Sequence, residues 1–186
     1  MIFLTGFQCG FIMSRMKTLL KFLSIIFLLF GVTSCETIDN NRIPALSVNI
    51  RLDNIGLWNT YGVGGYGIYR YFIRETREPG NFPFNESTYT GFGGVLLIGG
   101  MDPFTAETNI PLAYDMACPV ECKREIRVRI DDNNLDAVCT MCGSRYDVVA
   151  AGGAPVDGPA LTGEVKYRLQ PYRCIPASLG GYIITR

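Results

Sequence analysis

Four cysteines have the type and spacing to do chemistry: Cys118 and Cys122 in ACPVEC, then Cys139 and Cys142 in VCTMCGS. The set reads C-x3-C-x16-C-x2-C. Two thiolate pairs on separate loops suit a tetrahedral Zn²⁺, a single iron, or the irons of a [2Fe–2S] cluster. In the second pair, the glycine after Cys142 lets backbone amides turn toward sulfur. The first pair is looser, with Pro119 inside it. The chain has no histidine. Every metal ligand must therefore be thiolate, carboxylate or backbone, and histidine general-base chemistry is excluded. The same cysteines could instead pair as disulfides, within each loop or across the two.

The elements between the pairs bring them together. Ile126, Val128 and Ile130 alternate with Arg127 and Arg129, which is the period of a half-buried strand. Asp131-Asp-Asn-Asn134 reads as a turn, and Leu135 to Cys139 as the returning strand. If Ile130 pairs near Leu135, residue numbers across this ladder sum to about 265. Cys122 then lies opposite about position 143, beside Cys142. Both cysteine loops are expected at the open end of one hairpin.

The segment from about residue 90 to 174 resembles a Rieske-type iron–sulfur domain. Cys118-Pro-Val120 is similar to the family's first loop, with valine where that loop has histidine. Cys139-Thr-Met-Cys142-Gly-Ser-Arg-Tyr-Asp147 is similar to the second, with cysteine for histidine. Gly158-Pro159-Ala160 resembles the proline loop that shields the cluster, and Leu169-Gln-Pro-Tyr172 the closing strand. The resemblance implies a single all-β domain, a small Rieske-like sandwich with a cysteine hairpin module at one end. It implies iron-ligand roles for Cys118 and Cys139, with Cys142 replacing one histidine. Val120 cannot ligate, and Cys122 could serve instead. Four thiolates would give a low-potential [2Fe–2S] centre suited to electron transfer. Ser144 and Tyr146 would hydrogen-bond its sulfurs, and Pro159 would shield it.

Along the rest of the chain, strands are expected at 46–52, 66–74, 95–98, 112–117, 165–169 and the C-terminus. Residues 54–65 and 75–89 read as loops, and no helical period of useful length is present. Cys174 falls in a strand and reads as a small buried apolar residue. Trp58 and Tyr61 read as core. Gly62–Gly67 lacks the Lys-Ser/Thr of a phosphate loop. Asn85-Glu-Ser87 fits a glycosylation acceptor by pattern only, and Asp131 and Asp132 are explained by the turn.

The N-terminal part carries a targeting pattern. From Met13 or Met16, the better starts, basic Arg15, Lys17 and Lys21 precede an apolar run from Phe22 to Phe30. Cys9 would lie upstream of that start. The run is roughly half the ~20 residues that cross a bilayer. Val32-Thr-Ser-Cys35 resembles a lipobox, which implies a diacylglycerol on Cys35. Residues 1–34 are thus expected as a leader, 35–44 as lipidated cysteine and tether, and 45–186 as the domain. The expected site is the cell envelope, with the membrane as partner through the anchor. Acidic and basic residues balance at 17 each, so no nucleic-acid or other polyanion partner is indicated. Without histidine, and with no paired-carboxylate constellation, an enzyme is not expected. The functional expectation is a metal- or disulfide-stapled binding or structural module, with a cluster-bearing electron carrier, fed by an unidentified protein redox donor, as the alternative.

Overall fold

The computed structural model describes residues 38–39, 41–102 and 105–186. The expected leader and Cys35 lie outside them. Residues Thr37–Arg186 form one compact unit. The all-β expectation holds: thirteen strands and two short helices make up the described secondary structure.

The largest sheet has seven strands: β2 (Val48–Leu52), β3 (Tyr69–Phe72), β4 (Tyr89–Thr90), β5 (Val95–Met101), β6 (Thr108–Asp115), β12 (Pro171–Pro176) and β13 (Tyr182–Thr185). Their order is β3-β5-β6-β12-β13-β2-β4, and every neighbouring pair is antiparallel. The sheet curls so that one face meets itself. Val48, Ile50, Leu52, Phe72, Val95, Leu97, Ala113, Tyr172 and Ile184 form that interior.

A second sheet holds the cysteines. It is the meander β7 (Val128–Ile130), β8 (Asp136–Cys139), β9 (Arg145–Asp147) and β10 (Ala154–Asp157), in the order β10-β9-β8-β7. Its apolar face packs on the outside of β5 and β6. Leu96, Ile98, Tyr114 and Met116 meet Val128, Ala137, Tyr146 and Val148 there. This explains the unbroken run Val95–Ile98. Successive side chains of a strand point to opposite faces. Here Val95 and Leu97 enter the first core and Leu96 and Ile98 the second, all fully buried.

Three expectations need correction. Residues 54–65 are not all loop: α1 (Ile55–Tyr61) forms one short helix. Asn54 caps it, accepting from Leu57 N at 2.9 Å, and Leu57, Trp58 and Tyr61 lean on the first core. Two turns are too few to show a helical period. Second, the hairpin register is shifted by two residues, because Ile130 pairs with Ala137 and not near Leu135. Leu135 sits in the turn with φ 63°, its amide donating to Asp131 O at 2.8 Å. Third, the expected tether is held on the domain in part. β1 (Ile38–Asp39) pairs in parallel with β11 (Lys166–Tyr167), and Ile43 is buried.

Candidate metal centre

The first cysteine loop leaves the end of β6. Met116–Cys118 runs antiparallel to Ile126–Val128: Cys118 N donates to Ile126 O at 2.9 Å and Val128 N to Met116 O at 2.7 Å. The second loop joins β8 to β9, closed by Cys139 N donating to Ser144 O at 2.9 Å. Inside each loop lies the same turn. Cys122 N donates to Cys118 O at 2.8 Å, and Gly143 N donates to Cys139 O at 2.8 Å. The last residue of each turn is left-handed, with φ 50° at Cys122 and 75° at Gly143.

The two loops converge. The sulfurs of Cys118, Cys139 and Cys142 all lie within 4.8 Å of one another, and those of Cys118 and Cys142 are 3.6 Å apart. Cys118 and Cys139 are buried, and Cys142 is partly exposed beside Met141, which is 66% exposed. Of the four expected cysteines the structure brings three together. Cys122 lies outside the group, and its thiol donates to Arg42 O at 3.4 Å. Its left-handed backbone carries it away from its neighbours. The five described cysteines are all unpaired as disulfides.

Ser144 and Tyr146 surround the thiols. The Tyr146 hydroxyl is 3.6 Å from Cys118 Sγ, and both groups are buried. Ser144 Oγ accepts from the Cys142 thiol at 3.2 Å and from Ala160 N at 3.0 Å. That leaves the hydroxyl proton free to point at a thiolate. The Glu121 amide acts to lower the Cys118 thiol, and the Ser144 amide acts to lower Cys142.

These surroundings separate the thiols electrically. Burial pushes Cys118 up to about 12, against the smaller opposing effect of the Glu121 amide and the Tyr146 hydroxyl. Burial also acts to raise Cys142, but donation from Ser144 hydroxyl and amide and from the Cys139 and Cys118 thiols outweighs it, leaving Cys142 below its ordinary value. Burial and the neighbouring Cys118 hold Tyr146 neutral well above the usual phenol range.

Pro159, expected to shield the site, is exposed. The inward residue of α2 (Pro159–Thr162) is Ala160, fully buried against the cysteine core. Gly158 makes this possible. It has φ 77°, and a Cβ there would lie 2.8 Å from Ser144 Cα. Val120 packs on the same core as a partly buried apolar residue. Cys174, in β12, is partly buried against the first core, and burial pushes its thiol up to about 12.

Sequence reasoning missed Asp115, the fully buried last residue of β6. Its carboxylate accepts from the amides of Phe92, Gly93 and Ala117 at 2.8–2.9 Å and from the Tyr172 hydroxyl at 2.5 Å. It thereby fixes the strand end that delivers Cys118. Its signal was a single acid inside the apolar stretch LAYDMA. A groove of about 330 Å³ lined by Leu46, Arg74, Glu75, Tyr89 and Arg124 contains no cysteine. Its guanidiniums are engaged, Arg74 with Thr88 O and Arg124 with Glu75.

Three converging sulfurs with hydrogen-bond donors aimed at them can hold one thiophilic ion. With a Zn–S bond of about 2.3 Å, the edge of a regular tetrahedron is about 3.8 Å. The 3.6 Å separation of Cys118 and Cys142 is close to that edge. No protein-family model matches the chain, and no curated protein matches it.

Proposed function

We propose that this protein is a cell-envelope binding or structural module whose second core is stapled by one metal ion on Cys118, Cys139 and Cys142. The observation that carries the reading is the convergence of three sulfurs from two loops at spacing suited to a single ion. A [2Fe–2S] cluster on a thiolate-only chain needs four sulfurs in two pairs, and Cys122 faces Arg42. A Rieske-like ancestry, with the imidazoles gone, is compatible with such a staple. The bound ion would supply a cross-link between loops that otherwise meet only through weak thiol contacts. Ser144, Tyr146 and the loop amides would offset the negative charge of the thiolates.

The envelope location rests on the basic and apolar leader pattern before Cys35. Among the described residues no helix is long and apolar enough to cross a membrane. Anchoring would then come from acyl chains on Cys35, and Cys35→Ala would move the protein from the membrane to the soluble fraction.

Metal and acid-labile sulfide content of the full-length chain, purified anaerobically, tests the staple. One ion per chain without sulfide is the expected result. Two irons with two sulfides would replace it with an electron-transfer centre. A metal-free protein with Cys118 bonded to Cys142 would replace it with a disulfide.

A further inference from the structure

The two cysteine loops share one turn, and this assigns the fourth ligand. In the second loop, Cys139 and Cys142 occupy the first and fourth positions of the turn, and the left-handed Gly143 the fifth. Side chains three apart in such a turn lie on one face, and both sulfurs belong to the cluster. In the first loop the same positions are Cys118, Glu121 and the left-handed Cys122. Cys122 is therefore the counterpart of Gly143, which carries no side chain. Glu121 is the counterpart of the ligand Cys142.

We propose that Glu121, and not Cys122, supplies the fourth ligand through its carboxylate. This rests on the three-cysteine reading above and completes it. Glu121, like Cys122, has its ligand atom outside the three-sulfur group, and it is partly exposed, so binding would require its carboxylate to turn inward. Residue 121 lies inside the turn that Cys122 N closes on Cys118 O at 2.8 Å, directly beside the site. Cys122, by contrast, is held by the Arg42 carbonyl, whose own residue is tied to β11 through the Tyr167 hydroxyl at 3.0 Å. Three thiolates and one carboxylate form a mixed set. It suits borderline Zn²⁺, which accepts sulfur and oxygen together, better than Cu(I), which favours soft ligands alone.

Co²⁺ is the probe, because its visible bands report tetrahedral geometry and its near-ultraviolet intensity counts thiolates. Full-length wild type, Glu121→Gln, Glu121→Cys and Cys122→Ser are titrated anaerobically with Co²⁺ and then Zn²⁺. Changes outside the ligand shell alone cost about 10–100-fold in affinity, so Glu121→Gln is expected to cost at least as much. Glu121→Cys should raise thiolate intensity by about one third, from three sulfurs to four. Cys122→Ser should match wild type. In wild type, site-resolved alkylation with Zn²⁺ present should slow at Cys142 and stay unchanged at Cys122, a readout that needs no variant to fold. Wild-type affinity in Glu121→Gln overturns the proposal. So does a loss of affinity and thiolate intensity in Cys122→Ser, which makes Cys122 the ligand. If wild type binds neither ion, the three-cysteine reading fails, and this inference with it.

Discussion

The two cores share strand β5 yet are built differently. The first is closed by the curled sheet and filled by aliphatic and aromatic side chains from six strands, with Tyr172 as its buried ionisable group and Tyr61 and Cys174 packed at its margin. The second lies between that sheet and the four-stranded meander. Three thiols and the phenols of Tyr114 and Tyr146 sit among its apolar residues. The first core needs nothing beyond its own chain to be satisfied. The second keeps its three thiols at one end, where two loops meet, and that end is where a ligand can add stability. Leu96 and Leu97 are neighbours in sequence and equally buried, but they report on different cores.

The largest effects should come from emptying each core in turn. Leu97→Ala and Leu96→Ala are each expected to cost about 2–5 kcal/mol in denaturant unfolding, the range for buried leucines. The two should then separate. Leu97→Ala should leave Zn²⁺ affinity unchanged, whereas Leu96→Ala should weaken it, because it loosens the wall against which Cys118 and Cys139 pack. Equal metal affinity in both variants would show that the cores are one mechanical unit.

Metal removal sharpens the same contrast. At free Zn²⁺ about 100 times Kd, binding adds about 2.7 kcal/mol to stability. Chelation should remove that amount. It should also speed hydrogen exchange at 116–128 and 137–146 while leaving 48–52 and 182–185 protected. Uniform loss of protection would contradict a staple confined to the second core.

How much of this was legible follows from where the physics is local. Strands at Val48–Leu52 and Val128–Ile130 announce themselves because one face of each is wet and alternation survives. The Val95–Ile98 run reveals burial, but two interiors on its two faces cannot be read from one sequence. The pairing of Ile38–Asp39 with Lys166–Tyr167 is two residues long and non-local, so no period marks it. At the site, the cysteine spacing brought both loops together, and the structure gathers three of the four cysteines. C-x3-C leaves open which residue of the turn faces the cluster. The decision lies in the left-handed backbone at Cys122, a property of the fold rather than of the residue type.

Asp115 joins the two cores and should produce a pH effect. Burial, the largest influence, raises its carboxyl above the ordinary value of 3.8, while the Tyr172 hydroxyl and the Ala117, Phe92 and Gly93 amides act the other way. A raised folded value means that the folded state favours the proton. The associated stability is fully present below the ordinary carboxylate value and is lost as pH rises through the raised one. Asp115→Asn cannot titrate. The stability of wild type relative to this variant should therefore fall across that window and be flat above it. Replacing the carboxylate should itself cost about 1–3 kcal/mol above the window, since asparagine keeps an acceptor for Gly93 and Ala117 but its NH2 cannot accept from Phe92 N or the Tyr172 hydroxyl. A difference independent of pH would mean that Asp115 has the same affinity for its proton folded and unfolded.

The smallest effect should fall on Cys142, the partly exposed thiol of the three-sulfur group. In the metal-free protein, Cys142 is held below its ordinary value because Ser144 and the neighbouring thiols outweigh its burial. Ser144→Ala removes the hydroxyl that donates to its thiolate and leaves Ala160 N–H without its partner. The loss of that hydrogen bond should cost about 1 kcal/mol, small beside the core substitutions. The diagnostic reading is chemical. Only the thiolate is nucleophilic, so the pH profile of Cys142 alkylation should move to higher pH in the variant. The stability linked to Cys142 has the opposite sign to that of Asp115: a lowered folded value stabilises above the ordinary thiol range and fades as pH falls through it. Cys174, partly buried against the first core, should keep its profile in both proteins. A Cys142 profile that does not move would mean that the backbone amide of Ser144 and the two neighbouring thiols suffice, and that the hydroxyl serves only to hold Ala160 against the loop.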